Sequence, residues 1–254
     1  MVAGFLAGLF GIGGGAVLVP VFYQVLTALG FDEAYRMHLA VGTSLAIIVP
    51  TSIQSFRKHY ARGAVDLDLL RSFVFAVPFG VICASIVTAW ISGAGLRVIF
   101  AVIALVIALR LLLARENWKL AGDIPRGPTR MVIGWLIGFF STFMGIGGGV
   151  MNNTFMTLYG RPMHQAVATS SGTGILISIP GMIGYILAGW GIADMPPFTL
   201  GYVNLLAFAI IIPITIFVAP IGVRFAHVLS KRQLEVAFGS FLILVSIRFF
   251  ATLL

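Results

Sequence analysis

Charge is what this sequence has least of. Only 9% of its 254 residues are Asp, Glu, Lys or Arg, against roughly a quarter in an ordinary soluble domain. So few charges cannot clothe a water-facing surface, and a soluble globular domain is excluded. Cysteine is almost missing too: Cys83 stands alone, which rules out an intrachain disulfide framework. No paired carboxylates lie within an apolar run, no His/Cys cluster has metal-ligand spacing, and no Ser/His/Asp arrangement can be argued. Nothing therefore points to an enzyme, a metal or a cofactor. Residues 1–10 hold no Lys or Arg and their apolar pattern does not end at a cleavage site, which argues against a signal peptide.

What is present is apolar: 59% of the chain is hydrophobic. The apolar residues run in stretches of about 20, the length needed to cross a hydrocarbon core. Eight such segments are expected, near 2–29, 39–56, 70–91, 96–114, 131–158, 166–188, 200–223 and 235–254. They are uniformly apolar rather than alternating, which favours helices over a membrane β-barrel. The fold expected is an all-α membrane protein. The longest hydrophilic connection, 110–130, carries Arg115, Glu116, Lys119, Asp123 and Arg126. It divides the chain into a first membrane repeat (1–114), a cytoplasmic linker (115–130) and a second membrane repeat (131–254). Net charge is +8, which in a soluble domain would suggest nucleic acid. Here the basic residues sit between apolar spans, so topology explains them and no nucleic-acid partner is expected.

The halves repeat each other. Gly11-Ile12-Gly13-Gly14-Gly15 recurs as Gly145-Ile146-Gly147-Gly148-Gly149, an offset of 134. Met37-His38-x-Ala40-Val41-x-Thr43-Ser44 recurs as Met163-His164-x-Ala166-Val167-x-Thr169-Ser170, an offset of 126 that also pairs His59 with Tyr185, Gly63 with Gly189 and Asp68 with Asp194. Two patterns in the same order indicate duplication.

Positive charge then bears on orientation. If all eight segments crossed, Arg57, Lys58, Arg62, Arg71, Arg110, Arg115, Lys119, Arg126 and Arg130 would face Arg36, Arg97, Arg161, Arg224, Lys231 and Arg232, nine against six. If segments 1 and 5 enter and return, each broken at its glycine cluster, the last four join the nine. Only Arg36 and Arg97 then remain opposite, and thirteen against two is the bias expected of a cytoplasmic face. Each half becomes a re-entrant segment plus three crossings, which makes the two repeats inverted.

A helix restarting after a glycine turn points free N–H groups and its positive dipole end at the turn, and two such ends near the midplane would hold an anion. The candidate substrate-binding residues are therefore Gly11, Gly13, Gly14 and Gly15 with Thr43 and Ser44, and Gly145, Gly147, Gly148 and Gly149 with Asn152, Asn153, Thr169 and Ser170. Close helix packing is the alternative use of such glycines, and Thr or Ser hydroxyls in membrane helices often bond a carbonyl one turn back. Gly11-x-Gly13-x-x-Ala16 fits a relaxed dinucleotide fingerprint but lacks a βαβ unit, and no Gly-Lys-Ser/Thr follows either cluster. His38, His164 and Arg248 are candidates for coupling or gating, with capping, interfacial placement or snorkelling as their ordinary alternatives.

At these residues the sequence resembles the TauE/SafE sulfite exporter family. The likeness rests on residues 8–15 with Pro20, on Ala40-Val41-Gly42-Thr43-Ser44, on His59-x-x-x-Gly63-x-Val65-Asp66, and on the second-half copies through residues 234–239. The resemblance implies a prokaryotic inner-membrane permease for sulfite or organosulfonates such as sulfoacetate. One departure is Asn152-Asn153-Thr154 where the first repeat has Leu18-Val19-Pro20, so the second repeat is expected to carry more of the polar selectivity. The partners implied are a small anionic substrate and membrane lipid, with a homodimer left open. An anion channel and a non-transporting membrane scaffold remain the competing readings.

Overall fold

In a computed structural model, residues 15–113, 120, 122–192, 195–226 and 231–252 are described, with only the backbone for 216–226 and 231. Among these residues the chain forms nine helices: α1 (Gly15–Ala28), α2 (Glu33–Ala61), α3 (Leu67–Trp90), α4 (Gly93–Leu113), α5 (Pro128–Phe143), α6 (Gly149–Leu158), α7 (Met163–Ala188), α8 (Leu205–Ala226) and α9 (Lys231–Ala251). A two-residue hairpin, β1 (Thr199–Leu200) with β2 (Val203–Asn204), precedes α8. This hairpin occupies the start of the segment expected at 200–223. It is the one departure from all-helical structure among the described residues. Gly11, Gly13, Gly14, Asp194, Arg115, Glu116 and Lys119 lie outside the described residues, as do the side chains of Arg224 and Lys231.

Local chemistry sets the helix starts. Asp32 accepts from Ala34 N at 2.9 Å before α2, and Asp66 accepts from Leu69 N at 3.0 Å before α3. Asn204 accepts from Ala207 N at 2.7 Å before α8. These side-chain acceptors satisfy amides that have no intrahelical partner. α5 instead starts with Pro128 after Gly127 at φ 69°, a position where the missing N–H costs nothing.

Five described helices are long and apolar enough to cross a membrane: α2, α3, α4, α7 and residues 232–251 of α9. Their outer faces agree. Phe75, Phe79, Ile82, Ile86 and Trp90 of α3 form one exposed stripe, as do Val98, Val102, Val106, Leu109 and Leu113 of α4. Spacings of three and four residues put each set on a single helix face. Apolar stripes of that length facing outwards suit lipid, not water, and the chain is a multi-pass membrane protein.

Inside, α2 and α7 form the central pair, and α3 packs on both α5 and α7. Small residues bring the latter helices close: Gly80 of α3 lies on the backbone of Trp135, and Gly138 of α5 lies on that of Val77. The ends of the bundle can be read from polar contacts. At one end, Arg130 of α5 meets Asp68 of α3 at 2.8 Å, Leu120 N donates to Leu158 O at the end of α6, and Arg161 pairs with Asp123. Arg232, at the start of α9, donates there to Leu111 O and Leu112 O of α4. At the other end, Arg97 of α4 meets Glu33 of α2 at 2.6 Å and Thr252 beyond α9 at 3.3 Å. α5 and α6 therefore start and finish at the same end, whereas α2, α3, α4, α7 and α9 run from end to end.

Candidate functional site

Between α5 and α6 the chain breaks at residues 144–148, and everything from 141 to 150 is buried. The last turn of α5 closes through Met144 N to Phe140 O at 3.3 Å and Ile146 N to Ser141 O at 3.1 Å. Gly145 at φ +60° and Gly148 at φ +71° take the left-handed conformation, which glycine adopts without steric cost. Gly148 caps α6 with no side-chain hydrogen bond. The first amide donating back is Asn152 N, to Gly148 O at 2.8 Å. Those of Gly149, Val150 and Met151 precede any intrahelical acceptor and point into the break.

α1 begins at the same place. A Cβ on Gly15 would overlap the Gly145 carbonyl and lie 2.8 Å from Ile146 Cα, so Gly15 touches the second glycine cluster backbone to backbone. Ser44 of α2 fixes the contact by donating to Gly145 O at 2.8 Å. From that meeting point α1 leads to the Arg97–Glu33 end, because Tyr23 in α1 accepts a hydrogen bond from Arg97. α6 leads to the opposite end.

The polar content is concentrated on α6 and α7. Asn152 Nδ2 donates to Ser170 Oγ at 2.8 Å, and Ser170 Oγ donates to Asn153 Oδ1 at 2.6 Å. All three are nearly or fully buried, and Asn152 Oδ1 is buried with no partner. Turning both amides over reverses the direction of donation and again leaves one free donor and one free acceptor. No Lys, Arg, Asp or Glu occupies residues 141–154 or 166–188. Among the described residues, Arg110 of α4 approaches the network: its Nη1 donates to Thr154 Oγ1 at 2.7 Å, one residue beyond Asn153.

The threonines do something different from the serines. Thr43 Oγ1 accepts from Asn204 N at 2.9 Å, and Thr169 Oγ1 accepts from Asp66 N, also at 2.9 Å. Each central helix thus holds the capping residue of a helix in the opposite half. The equivalent of Asp66 is therefore Asn204, an offset of 138. That is twelve more than the offset of 126 found upstream.

The coupling candidates separate. His38 is buried, with Nε2 3.1 Å from Ile91 O and its ring stacked on Tyr202 at 4.6 Å. Burial, reinforced by neighbouring Tyr35, pushes the Tyr202 phenol up. His164 and Arg248 are both exposed. Ser52 and Ser178 were missed from sequence. A Cβ on Gly174 would lie 2.5 Å from Ser52 Oγ, one on Gly147 would lie 3.7 Å from it, and Ser178 Oγ is buried without a partner. Their separation is 126 residues, the same offset that identified the threonines, and it was the available signal.

A family model described as sulfite exporter TauE/SafE matches residues 1–249. A probable membrane transporter protein of Haemophilus influenzae is 33% identical over 248 residues, covering 98% of this chain and 94% of the relative. A probable membrane transporter protein of Methanocaldococcus jannaschii is 26% identical, with 95% and 89% covered. One of Bacillus subtilis is 27% identical over 208 residues, with 74% and 76% covered. No solved structure matches the chain significantly.

Proposed function

The chain belongs to the sulfite exporter TauE/SafE family, and from that premise we propose that it carries a small anion across the membrane at the buried break between α5 and α6. The observation that carries the proposal is irregular backbone, wholly buried, with free amide donors beside the Asn152–Ser170–Asn153 network. Non-helical backbone at membrane depth is tolerated where it is buried in protein or lines a cavity. Helix starts at such breaks are suited to anionic groups.

Tight packing alone is the competing reading. It accounts for the glycines, because a Cβ at Gly145, Gly147 or Gly148 would come within 2.8 Å of a neighbouring atom. It does not account for the asparagines. A packing seam gains nothing from burying two amides and leaving one oxygen unpaired. The substrate we propose is sulfite, the anion that the family's name indicates, or a chemically related organosulfonate such as sulfoacetate.

The mechanism we propose is alternating movement of two inverted halves, 1–114 and 131–254. The linker, 115–130, lies on the cytoplasmic side of a prokaryotic inner membrane. Three observations support it. α5 and α6 open on one end while α1 runs from the shared glycine contact to the other. The threonine contacts are reciprocal across the halves. Arg161 and Arg232 stand at the linker's end, as thirteen against two requires. Of the three coupling candidates, His38 is seen to bridge the halves, through Ile91 and Tyr202.

Proteoliposomes loaded with labelled sulfite or sulfoacetate test the function. A carrier gives saturable flux accelerated by unlabelled anion on the far side. Very fast, non-saturating flux would mean a channel, and no flux under any gradient would mean a scaffold. Cysteine labelling in a Cys83→Ser background tests the topology: Gly127→Cys and Gly160→Cys react from one side and Gly30→Cys from the other.

A further inference from the structure

A pocket of about 620 Å³ opens where α3 and α5 begin, and Asp68, Ser72, Arg126, Arg130 and Met131 are on its walls. Its charges are unbalanced. Arg130 is committed, with Nη1 on Asp68 and Nε on Pro125 O at 2.9 Å. Arg71 and Arg126 lie within electrostatic reach of the same Asp68. Both are exposed, and neither has an ion pair among the described residues. One carboxylate thus faces three guanidiniums, those of Arg126 and Arg130 on the pocket walls and that of Arg71 beside it. No residue is shared with the buried break.

The surroundings say what kind of anion fits. α3 and α5, which begin at the pocket and pack on each other, carry the exposed apolar residues Phe75, Phe79, Ile82, Met131, Val132 and Leu136. A soluble anion has no use for that surface. A phosphate that carries acyl chains uses both parts at once, the diester on the arginine forks and the chains along the stripe. Basic pockets at the ends of membrane helices suit acidic headgroups in this way.

We propose that this pocket binds the headgroup of an acidic phospholipid. The purified full-length protein in neutral detergent micelles is titrated with phosphatidylglycerol, phosphatidylcholine or glycerol 3-phosphate. Bound lipid is counted by native mass spectrometry and stabilisation is read by thermal unfolding. Phosphatidylglycerol is expected to bind and raise the unfolding temperature, and the other two are not. The double substitution Arg71→Gln/Arg126→Gln weakens phosphatidylglycerol binding by roughly thirtyfold, at about 1 kcal/mol per interfacial arginine. Both side chains are exposed, so the variant folds. The double substitution Arg57→Gln/Lys58→Gln, elsewhere on the basic end, leaves binding unchanged. Equal binding of the two lipids, full replacement by glycerol 3-phosphate, unchanged affinity in the arginine variant or equal loss in the control each overturns the proposal.

Discussion

The two copies of the Thr-Ser motif began alike and now do different work. Thr43 and Thr169 make the same bond, each to the amide of a helix-capping residue in the other half. Ser44 and Ser170 do not. Ser44 donates to the Gly145 carbonyl, whereas Ser170 sits between two asparagine amides. The residues facing them have diverged as well: Leu18 and Val19 are buried among apolar neighbours, and their counterparts Asn152 and Asn153 form the polar network. The two halves share the threonine contacts, and the polar network lies in the second. On the function proposed above, the threonines are expected to report on architecture and the second-half serine and asparagines on substrate.

The largest expected contrast is at the diverged pair. Asn153→Leu keeps the branched shape but removes the amide, and proteoliposome flux is expected to fall at least about a hundredfold, the loss of two or more charge-assisted hydrogen bonds. At the matching position, Val19→Ala trims an apolar contact and lowers stability while leaving flux within about threefold, a cavity cost rather than a lost ligand. Equal flux losses at the two positions would remove the asymmetry.

The conserved frame is read by stability. Thr43→Val leaves the Asn204 amide without its acceptor and is expected to cost about 1–3 kcal/mol in thermal unfolding. Thr169→Val costs less, because Asp66 is only half-buried and water can replace the bond. Neither changes which anion is transported.

The serines are expected to split by assay. Ser44→Ala lowers stability by about 1 kcal/mol through the Gly145 carbonyl and leaves the substrate KM near the native value. Ser170→Ala raises KM several-fold with a smaller stability loss. The histidines differ from each other, and the exposed one has the smallest effect of all. His38→Ala loses its stacking on Tyr202, about 0.5–1.5 kcal/mol, while His164→Ala at its exposed site stays within about 0.5 kcal/mol of the native protein.

Much of this frame was legible in hydropathy and repetition. Apolar runs located the helices, and the offset of 126 residues aligned α2 with α7. The second glycine cluster falls where α5 gives way to α6. The hairpin at Thr199–Asn204 escaped notice because its residues continue an apolar run, and a turn held by Asn204 and Thr43 depends on a partner 161 positions away. Arg97 read as an ordinary loop cation. Its burial against Glu33, Tyr23 and Thr252 comes from four elements converging at one end, which no local window records. The Asn152–Ser170 bond is of the same kind: residue types marked both as candidates, and only packing shows that they share a hydrogen bond.

Binding of labelled sulfite to the purified protein, compared between the native chain and Asn153→Asp, tests the central claim most directly. The substitution is isosteric and retains the oxygen that accepts from Ser170, but it places a negative charge at the break. Saturable binding by the native chain and none by a variant that unfolds at a similar temperature is the predicted result. Equal affinity in both would show that the anion does not bind at the break.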